Sequence, residues 1–315
     1  MGPMLPFLCP KVHDGWMAVA YVAGRFDLAH VRRLPGRKPE VLLLHSRSRG
    51  DDDTAVLRAL RKDLGLANYR CTVLLGAGEY QMLQVEPPEV PAEERREAVR
   101  WRIKDMLHYP AESANLDLLE IPAEPGVSAR ARQVWAIAAD RALLVPHVAA
   151  FDGAKLPLAA IDIPELAQRN IAALFEEENL GLAMLSFDEA GSMLSFTYGG
   201  ELYALRRIDA PLSLFINVEA GQREALFERV ALEAQRSLDN FDRQFGHIRV
   251  NQLLVAPLPE GSALVGYLRE FLSVLVAELD LAAVLDFPSL PELALPLRQT
   301  QYLKVIGAAL RETVN

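Results

Sequence analysis

The stretch LSFDEAGSMLSFTYGGELYALRRI, residues 185–208, decides the fold class of this chain. Its apolar segments and its two turns, DEAG and GG, predict strands that are joined by tight turns. The first turn carries Asp188, Gly191 and Ser192. An acidic, glycine-containing turn between strands suits a phosphate site, because small residues let backbone N–H groups approach an anion. The same residues also suit an ordinary hairpin, and the choice depends on the rest of the chain.

The composition indicates a folded, acidic protein. The chain has 315 residues, of which 51% are hydrophobic, and this length predicts two domains. The formal net charge of −9 argues against nucleic acid as a partner, because binding to phosphates needs a cationic surface. Residues 1–50 differ from the remainder, since they hold eight Lys or Arg and three acidic residues. That basic region suits either anionic lipid or a solvated loop.

Cysteine content and hydropathy predict the compartment. The two cysteines, Cys9 and Cys71, have no paired spacing, so we expect no disulfide framework, no metal and a reducing environment. The N-terminus MGPMLPFLCPKVHDGW lacks the charged region of a signal peptide. No uninterrupted apolar run approaches the length of about 18 to 20 residues that spans a bilayer. We therefore expect a cytoplasmic protein, or one that is peripheral to a membrane.

The first half of the chain alternates strand and helix patterns. KVHDGWMAVAYVAG, residues 11–24, predicts a hairpin at Asp14–Gly15, because Gly accepts the positive φ of the favoured turns. PAEERREAVRWRIKDMLHYP predicts a helix that begins at Pro91 and ends at Pro110. Together with neighbouring strands, this helix belongs to a block over residues 69–155 that we interpret as an insertion into a larger domain.

The second half continues with a long helix at residues 220–245, whose apolar residues recur at steps of three and four. VNQLLVAPLPEGSALVGYLREFL, residues 250–272, predicts a buried strand, a turn and a helix. A last helix covers residues 299–312. No internal sequence repeat is visible.

Common catalytic and nucleotide-binding motifs are absent from the sequence. GAGEYQ, residues 76–81, lacks the third glycine of a dinucleotide fingerprint, and there is no G-x-x-x-x-G-K-[ST], G-x-S-x-G or H-E-x-x-H. We expect no catalytic residue. Three turns remain as candidates: Asp14–Gly15, Asp188–Ser192 and Pro257–Ser262. Their order along the chain is that of the two phosphate loops and the adenosine loop of actin-like proteins.

The sequence resembles a known family. The residues that carry the resemblance are GEYQMLQVEPPEVPAEERREAVRWRIKDMLHYPAESANLDLLEIP (78–122), AIDIPELAQRNIAAL (160–174) and RVALEAQRSLDNFDRQF (229–245). They are similar to the MshI family of MSHA pilus biogenesis proteins, relatives of PilM in type IV pilus systems. The likeness covers nearly the whole chain, and the helix at residues 91–108 is its most specific part.

The resemblance implies an α/β, bilobed actin-like (RNase H-like) fold with a small inserted α+β subdomain. Residues 1–68 and 156–180 would form lobe one, residues 69–155 its insert, and residues 181–315 lobe two, with the last helix packing back toward lobe one. It also implies a scaffold that is peripheral to the inner membrane. Such proteins bind the cytoplasmic tail of a single-pass, PilN-like membrane protein and connect the pilus platform to a motor ATPase.

All three candidate loops depart from the family's nucleotide-binding pattern. The first loop has Trp16 and Met17 where small residues are expected, and the second has its glycine shifted by one position. The adenosine loop contains Pro257 and Pro259, which lack N–H donors. We therefore expect no cofactor, and an ATP- and Mg²⁺-dependent switch or ATPase remains the alternative. Its candidate residues are Asp14, Gly15, Asp188, Gly191, Ser192, Gly261 and Ser262.

The partner-binding surface is predicted beside the insert. We expect a groove between strands 71–75 and 81–85 and the adjoining face of lobe one, because short peptides commonly dock at a strand edge or in an apolar groove. Trp101 and Tyr109, on and after the helix of the insert, are candidate anchors for such a peptide. Packing against the insert's own sheet is the alternative role for both residues.

Overall fold

The structure is a computed structural model that describes residues 13–22, 24–123, 133–216, 220–258 and 261–312. The strands are β1 (Trp16–Val22), β2 (Arg25–Arg32), β3 (Glu40–Ser48), β4 (Arg70–Leu74), β5 (Gln81–Val85), β6 (Ala114–Glu120), β7 (Val134–Asp140), β8 (Leu158–Asp162), β9 (Gly181–Asp188), β10 (Gly191–Tyr198), β11 (Glu201–Ile208), β12 (Val250–Val255) and β13 (Leu275–Glu278). The α-helices are α1 (Asp53–Asp63), α2 (Ala92–Arg102), α3 (Arg141–Gly153), α4 (Pro164–Ala172), α5 (Leu212–Ile216), α6 (Ala220–Gln244), α7 (Gly261–Phe271) and α8 (Pro296–Ala309).

The first sheet has the strand order β3-β2-β1-β4-β8. β1 is antiparallel to β2 and parallel to β4, which is in turn parallel to β8. The central strand β1 is apolar on both faces because both faces are covered: Met17 and Val19 join one core cluster, while Ala18 and Ala20 join another. We call this sheet, with α1 and α3, lobe one.

The second sheet repeats this topology in the order β11-β10-β9-β12-β13. β9 is antiparallel to β10 and parallel to β12, as β1 is to β2 and β4. We call this sheet, with α5, α6 and α7, lobe two. The fold therefore contains a duplication that the sequence does not display.

The insert is a three-stranded antiparallel sheet of order β5-β7-β6, with α2 packed on it. Among its described residues, one small cluster of buried side chains lies between α2 and the sheet: Val99, Ile103, Leu116, Ala136 and Ala138. The predicted helix at residues 91–108 is shorter than expected: α2 ends at Arg102 and a short 3-10 turn at Lys104–Met106 follows.

The predicted insert boundaries of residues 69–155 need correction at both ends. β4 lies between β1 and β8 in the sheet of lobe one. At the other end, Ala150 and Phe151 of α3 are buried against Leu57 and Leu60 of α1 in the core of lobe one. The insert sheet begins with β5 and ends with β7. The sequence did not predict these boundaries, because an apolar pattern indicates that a segment is buried but not which sheet it joins.

Two helices connect the lobes, and they cross in close contact. α4 follows β8 of lobe one and packs against the sheet of lobe two, where Gln168 Nε2 donates hydrogen bonds to Met184 O and Ser195 Oγ, both at 2.8 Å. The last helix, α8, packs on β1 and β2 of lobe one. A Cβ atom on Gly307 of α8 would lie 2.1 Å from Ala167 O of α4, so the crossing needs a glycine.

In addition to the two helices, the segment after β13 also joins the lobes. After β13, the chain returns to lobe one, where Val41 N donates to Asp286 O at 2.8 Å and Asp286 N donates to Pro39 O at 2.9 Å. Glu40 and Asp286 form an isolated parallel bridge. Among the described residues, no helix is both long enough and apolar enough to span a membrane.

Candidate functional site

The turn between β9 and β10 is the first candidate site. Asp188 ends β9, and its Oδ1 accepts a hydrogen bond from Ala190 N at 2.7 Å. Gly191 begins β10 with φ +137°, and a Cβ atom there would lie 2.9 Å from Ile208 O. Ser192 is fully buried, and its hydroxyl donates to Ala210 O at 2.6 Å. Gly191 and Ser192 therefore serve the packing of the turn.

The second carboxylate oxygen of Asp188 is occupied by a cation from α8. Lys304 Nζ donates to Asp188 Oδ2. The lysine side chain is only 16% exposed. Burial lowers the pKa of Lys304 to about 8, an effect that Glu165 opposes. The protein itself thus neutralises the carboxylate that was predicted to face a nucleotide.

A second ion pair joins a buried glutamate to an exposed arginine. Glu165 of α4 accepts from Arg207 Nη2 of β11 at 2.6 Å and from the Tyr80 hydroxyl at 2.5 Å. Burial, and then the charge of Glu165, raise the pKa of Tyr80. These contacts join the segment before β5, a connecting helix and lobe two, so they hold the insert and both lobes in one arrangement.

Asp14 and Gly15 do not lie in the turn between β1 and β2, so the predicted hairpin at this pair is wrong. They precede β1, whereas the chain turns between β1 and β2 after Val22. At about 3.3 Å per residue, the seven residues of β1 place the two ends roughly 20 Å apart. Gly15 has φ +92°, and a Cβ atom there would lie 2.1 Å from Val31 O, so the glycine is required by close packing.

The third candidate loop follows β12. Gly261 and Ser262 begin α7, while Pro259 lies outside the described residues. Pro257 O accepts a hydrogen bond from the Thr300 hydroxyl of α8. Side chains of α8 therefore contact both the turn after β9 and the segment after β12.

An apolar groove of about 820 Å³ lies where lobe one meets the insert, and we call it the α3 groove. It is lined by one face of α3, by the start and middle of β8, and by Asn115 of β6. Val145 and Val148 of α3 are 56% and 48% exposed, which is unusual for valines on a helix. Among the described residues, β8 pairs only with β4 and ends the sheet, so its other backbone edge is unpaired in this part of the chain.

The α3 groove differs from the predicted partner site. β4, which contains most of the predicted strand 71–75, pairs on both sides and has no free edge, whereas β8 does. Trp101 on α2 is 49% exposed, and the Tyr109 hydroxyl is buried without a hydrogen-bond partner among the described residues. Burial, and then Asp140, raise the pKa of Tyr109 to about 12. Neither residue lines the groove.

The helix of the groove is fixed to the start of the insert. His147 on the buried face of α3 lies 2.7 Å from Glu79 Oε1, and Gly76 N donates to Glu79 Oε2 at 2.5 Å. Burial alone would raise the pKa of Glu79, but the hydrogen bonds from His147 and Gly76 outweigh it and lower that pKa. These contacts fix α3, one wall of the groove, to the segment that leads into β5.

Comparisons with solved structures identify the fold. A chain of the PilM–PilN type IV pilus biogenesis complex superposes with a TM-score of 0.72 at 19% identity, over 96% of this chain and 99% of that chain. The fold is actin-like. The predicted bilobed architecture is thereby confirmed. No protein-family model matches the chain, and a comparison with curated proteins finds no match.

Two further structures share the fold at lower similarity. One is the cytoplasmic domain of EpsL, an inner-membrane component of the type II secretion system of Vibrio cholerae, with a TM-score of 0.50 and 10% identity over 95% of this chain and 97% of that domain. The other is a Bacteroides thetaiotaomicron protein with an actin-like ATPase fold and unknown function, with a TM-score of 0.50 and 9% identity over 95% and 96% of the chains.

Proposed function

We propose that this chain is a scaffold of the inner-membrane assembly platform of an MSHA-type type IV pilus. In this proposal, it holds the cytoplasmic tail of a PilN-like membrane protein in the α3 groove. The observation that carries the proposal is this groove, which combines exposed valines with a free strand edge. The resemblance in fold to a chain of a PilM–PilN complex supports it.

The α3 groove has the properties of a peptide site. An extended peptide can add its backbone to the free edge of β8, while alternate side chains pack against Leu144, Val145 and Val148. The 13 residues of α3 span about 20 Å, which corresponds to about six residues of extended chain. A short tail of a membrane protein matches this length.

The contacts of Asp188 disfavour the alternative of a nucleotide-dependent switch. Mg²⁺ at this turn would have to displace Lys304, which is itself largely buried, from Asp188. Separating the pair would leave a buried charge without its partner, which is costly. We therefore propose that the protein acts through protein contacts without a nucleotide cofactor. It would lie on the cytoplasmic side of the inner membrane, and a pilus motor ATPase is a further candidate partner.

A binding titration with matched variants tests the proposal. The probe is a synthetic peptide of the N-terminal tail of the PilN-like protein encoded in the same pilus system. We expect Val148→Glu to weaken binding at least tenfold, because it introduces a charge into the apolar wall. Leu232→Glu, at an exposed position of α6 in lobe two, is the control and should bind as the unmodified protein does.

The titration can contradict the proposal in two ways. Absence of measurable binding of the tail to the unmodified protein would remove the proposed partner. Equal binding by Val148→Glu and by the unmodified protein would place the site outside the α3 groove. Because Val148 is exposed, Val148→Glu is expected to fold, and its melting temperature provides that check.

A further inference from the structure

The two ends of the α3 groove carry opposite charges. Arg141 lies at the first residue of α3 and Asp152 lies in its last turn, and both side chains line the groove. Both are exposed. The eleven-residue separation between them corresponds to about 17 Å along the helix. Between them the wall is apolar, so the groove has one cationic end and one anionic end.

Neither charge has a side-chain partner in the part of the chain that the structure describes. Among the described residues, neither the Arg141 guanidinium nor the Asp152 carboxylate makes a hydrogen bond or an ion pair. Two arginines of lobe one, by contrast, do have partners: Arg49 pairs with Asp53, and Arg58 donates to Gly153 O at 3.2 Å. The two groove charges are therefore available to a ligand.

Asp152 also opposes the helix dipole. The N-terminus of a helix favours negative charge and its C-terminus favours positive charge, each by about 0.3–1 kcal/mol at an exposed site. Asp152 lies in the last turn of α3, where no basic residue compensates it. Arg141 lies in the first turn, but there the N-cap Asp140, whose side chain accepts a hydrogen bond from Ala142 N, places a carboxylate beside it. Asp152 thus costs stability without an internal contact in return, which is a common property of binding residues.

We propose that Arg141 and Asp152 select a tail with charges at both ends. The groove would take an extended, apolar segment with an acidic side chain or carboxylate at the Arg141 end and a basic side chain or amino group at the Asp152 end. At about 3.3 Å per residue, these two charges would be separated by about four to six positions. This proposal rests on the proposed function, because it concerns the same groove and the same tail.

The experiment measures binding and stability on the same variants. The full chain is titrated with the synthetic tail peptide of the PilN-like protein, using the single variants Arg141→Gln and Asp152→Asn. Each should weaken binding about three- to tenfold, and raising the salt concentration should weaken binding by the unmodified protein but much less by the double variant. Asp152→Asn should also melt at the same temperature as the unmodified protein or slightly above it, because an unfavourable charge–dipole interaction is removed. Arg141→Gln should leave the melting temperature unchanged, because Arg141 is exposed.

Matched controls and outcomes separate this proposal from the broader one. Arg206→Gln and Asp63→Asn remove exposed charges that already have partners, and they should leave tail binding unchanged. If the tail binds and Val148→Glu abolishes binding, while both groove-charge variants bind normally, the charge proposal is overturned and the scaffold function stands. If either charge variant lowers the melting temperature by several degrees, the residue has a structural partner and the proposal for it is overturned.

Discussion

Lys304 projects from α8 and pairs with Asp188, so the carboxylate that ends β9 has its cation partner inside the protein. The same carboxylate also accepts from the backbone of its own turn. Both oxygens are therefore used. The acidic turn therefore holds α8 against lobe two.

We expect Lys304→Gln to destabilise the fold by about 1–3 kcal/mol, because a partly buried carboxylate loses its charged partner. Asp188→Asn should have a similar effect, and the double variant should lose less than the sum of the two single losses. Urea denaturation monitored by circular dichroism measures these differences. Arg206→Gln is the control: it breaks an exposed pair with Glu233, for which about 0–1 kcal/mol is expected. Strictly additive losses would show that the pair is not coupled.

We expect millimolar ATP with Mg²⁺ to leave the melting temperature unchanged. A ligand that binds only the folded state raises its stability by mass action, so thermal unfolding detects such binding directly. A reproducible increase of several degrees in the unmodified protein, lost in Asp188→Ala, would establish a nucleotide site at this turn and contradict the proposal.

The role of Asp188 could be predicted from the sequence only in part. Its turn was recognised from the local pattern, and the structure confirms the strands on both sides of it. Its partner is 116 residues away in the sequence, and no local pattern connects a lysine in the last helix to this turn. For Asp14–Gly15 the local signal itself was misleading: the positive φ of Gly15 is real, but it serves close packing against Val31.

At the scale of elements, the crossing of α4 and α8 determines how the two lobes meet. Gly307 lets the helices approach, and Asn170 Nδ2 of α4 donates to Gly307 O at 2.9 Å. The contact is too close for any side chain, since a Cβ atom on Gly307 would lie 2.1 Å from Ala167 O. The position is therefore the most sensitive point of this helix pair.

We expect Gly307→Ala to destabilise the protein by about 2–3 kcal/mol or more, because the backbones of the two helices would have to separate. The control is Gly266→Ala in α7, where no atom lies within 4 Å of the added Cβ. There the usual helix preference applies, and the substitution should stabilise by about 0.5–1 kcal/mol. Thermal unfolding of both variants measures the difference. A loss at Gly266 or a gain at Gly307 would contradict the described packing.

Long periodic elements could be predicted well from the sequence. The helix expected at residues 220–245 is α6, and the strand and helix expected within residues 250–272 are β12 and α7. Strand neighbours could not be predicted, because pairing depends on contacts that are distant in the sequence. β4 was therefore assigned to the insert. The matching order of the two five-stranded sheets also escaped detection, since different residues build the same topology in each half.

The α3 groove could have been found from one local signal. The helix RALLVPHVAAFDG is apolar around much of its circumference. It lies close to residue 155, the predicted end of the insert, where a helix is expected to have one face exposed. Valines on the outer face of a surface helix indicate a contact surface. The sequence predicts a partner site beside the insert, but no local pattern identifies which strand has the free edge.

At the scale of the whole molecule, several connections hold the lobes and the insert together. They are α4, α8, the return segment that pairs Asp286 with the start of β3, and the contacts of Glu165 with Arg207 and Tyr80. None of these contacts needs a nucleotide. We therefore expect the α3 groove to be preformed, so that binding of a tail orders the peptide while the lobes keep their arrangement.

Hydrogen–deuterium exchange with and without the tail peptide of the PilN-like protein tests this central claim most directly. A peptide that adds to the edge of β8 slows exchange of the backbone N–H groups there. We predict new protection within residues 141–162, which cover α3 and β8, and little change in β11 or in the turn between β9 and β10. Protection that appears at α2, in lobe two or uniformly over both lobes, with none at β8, would contradict the assignment of the α3 groove as the binding site.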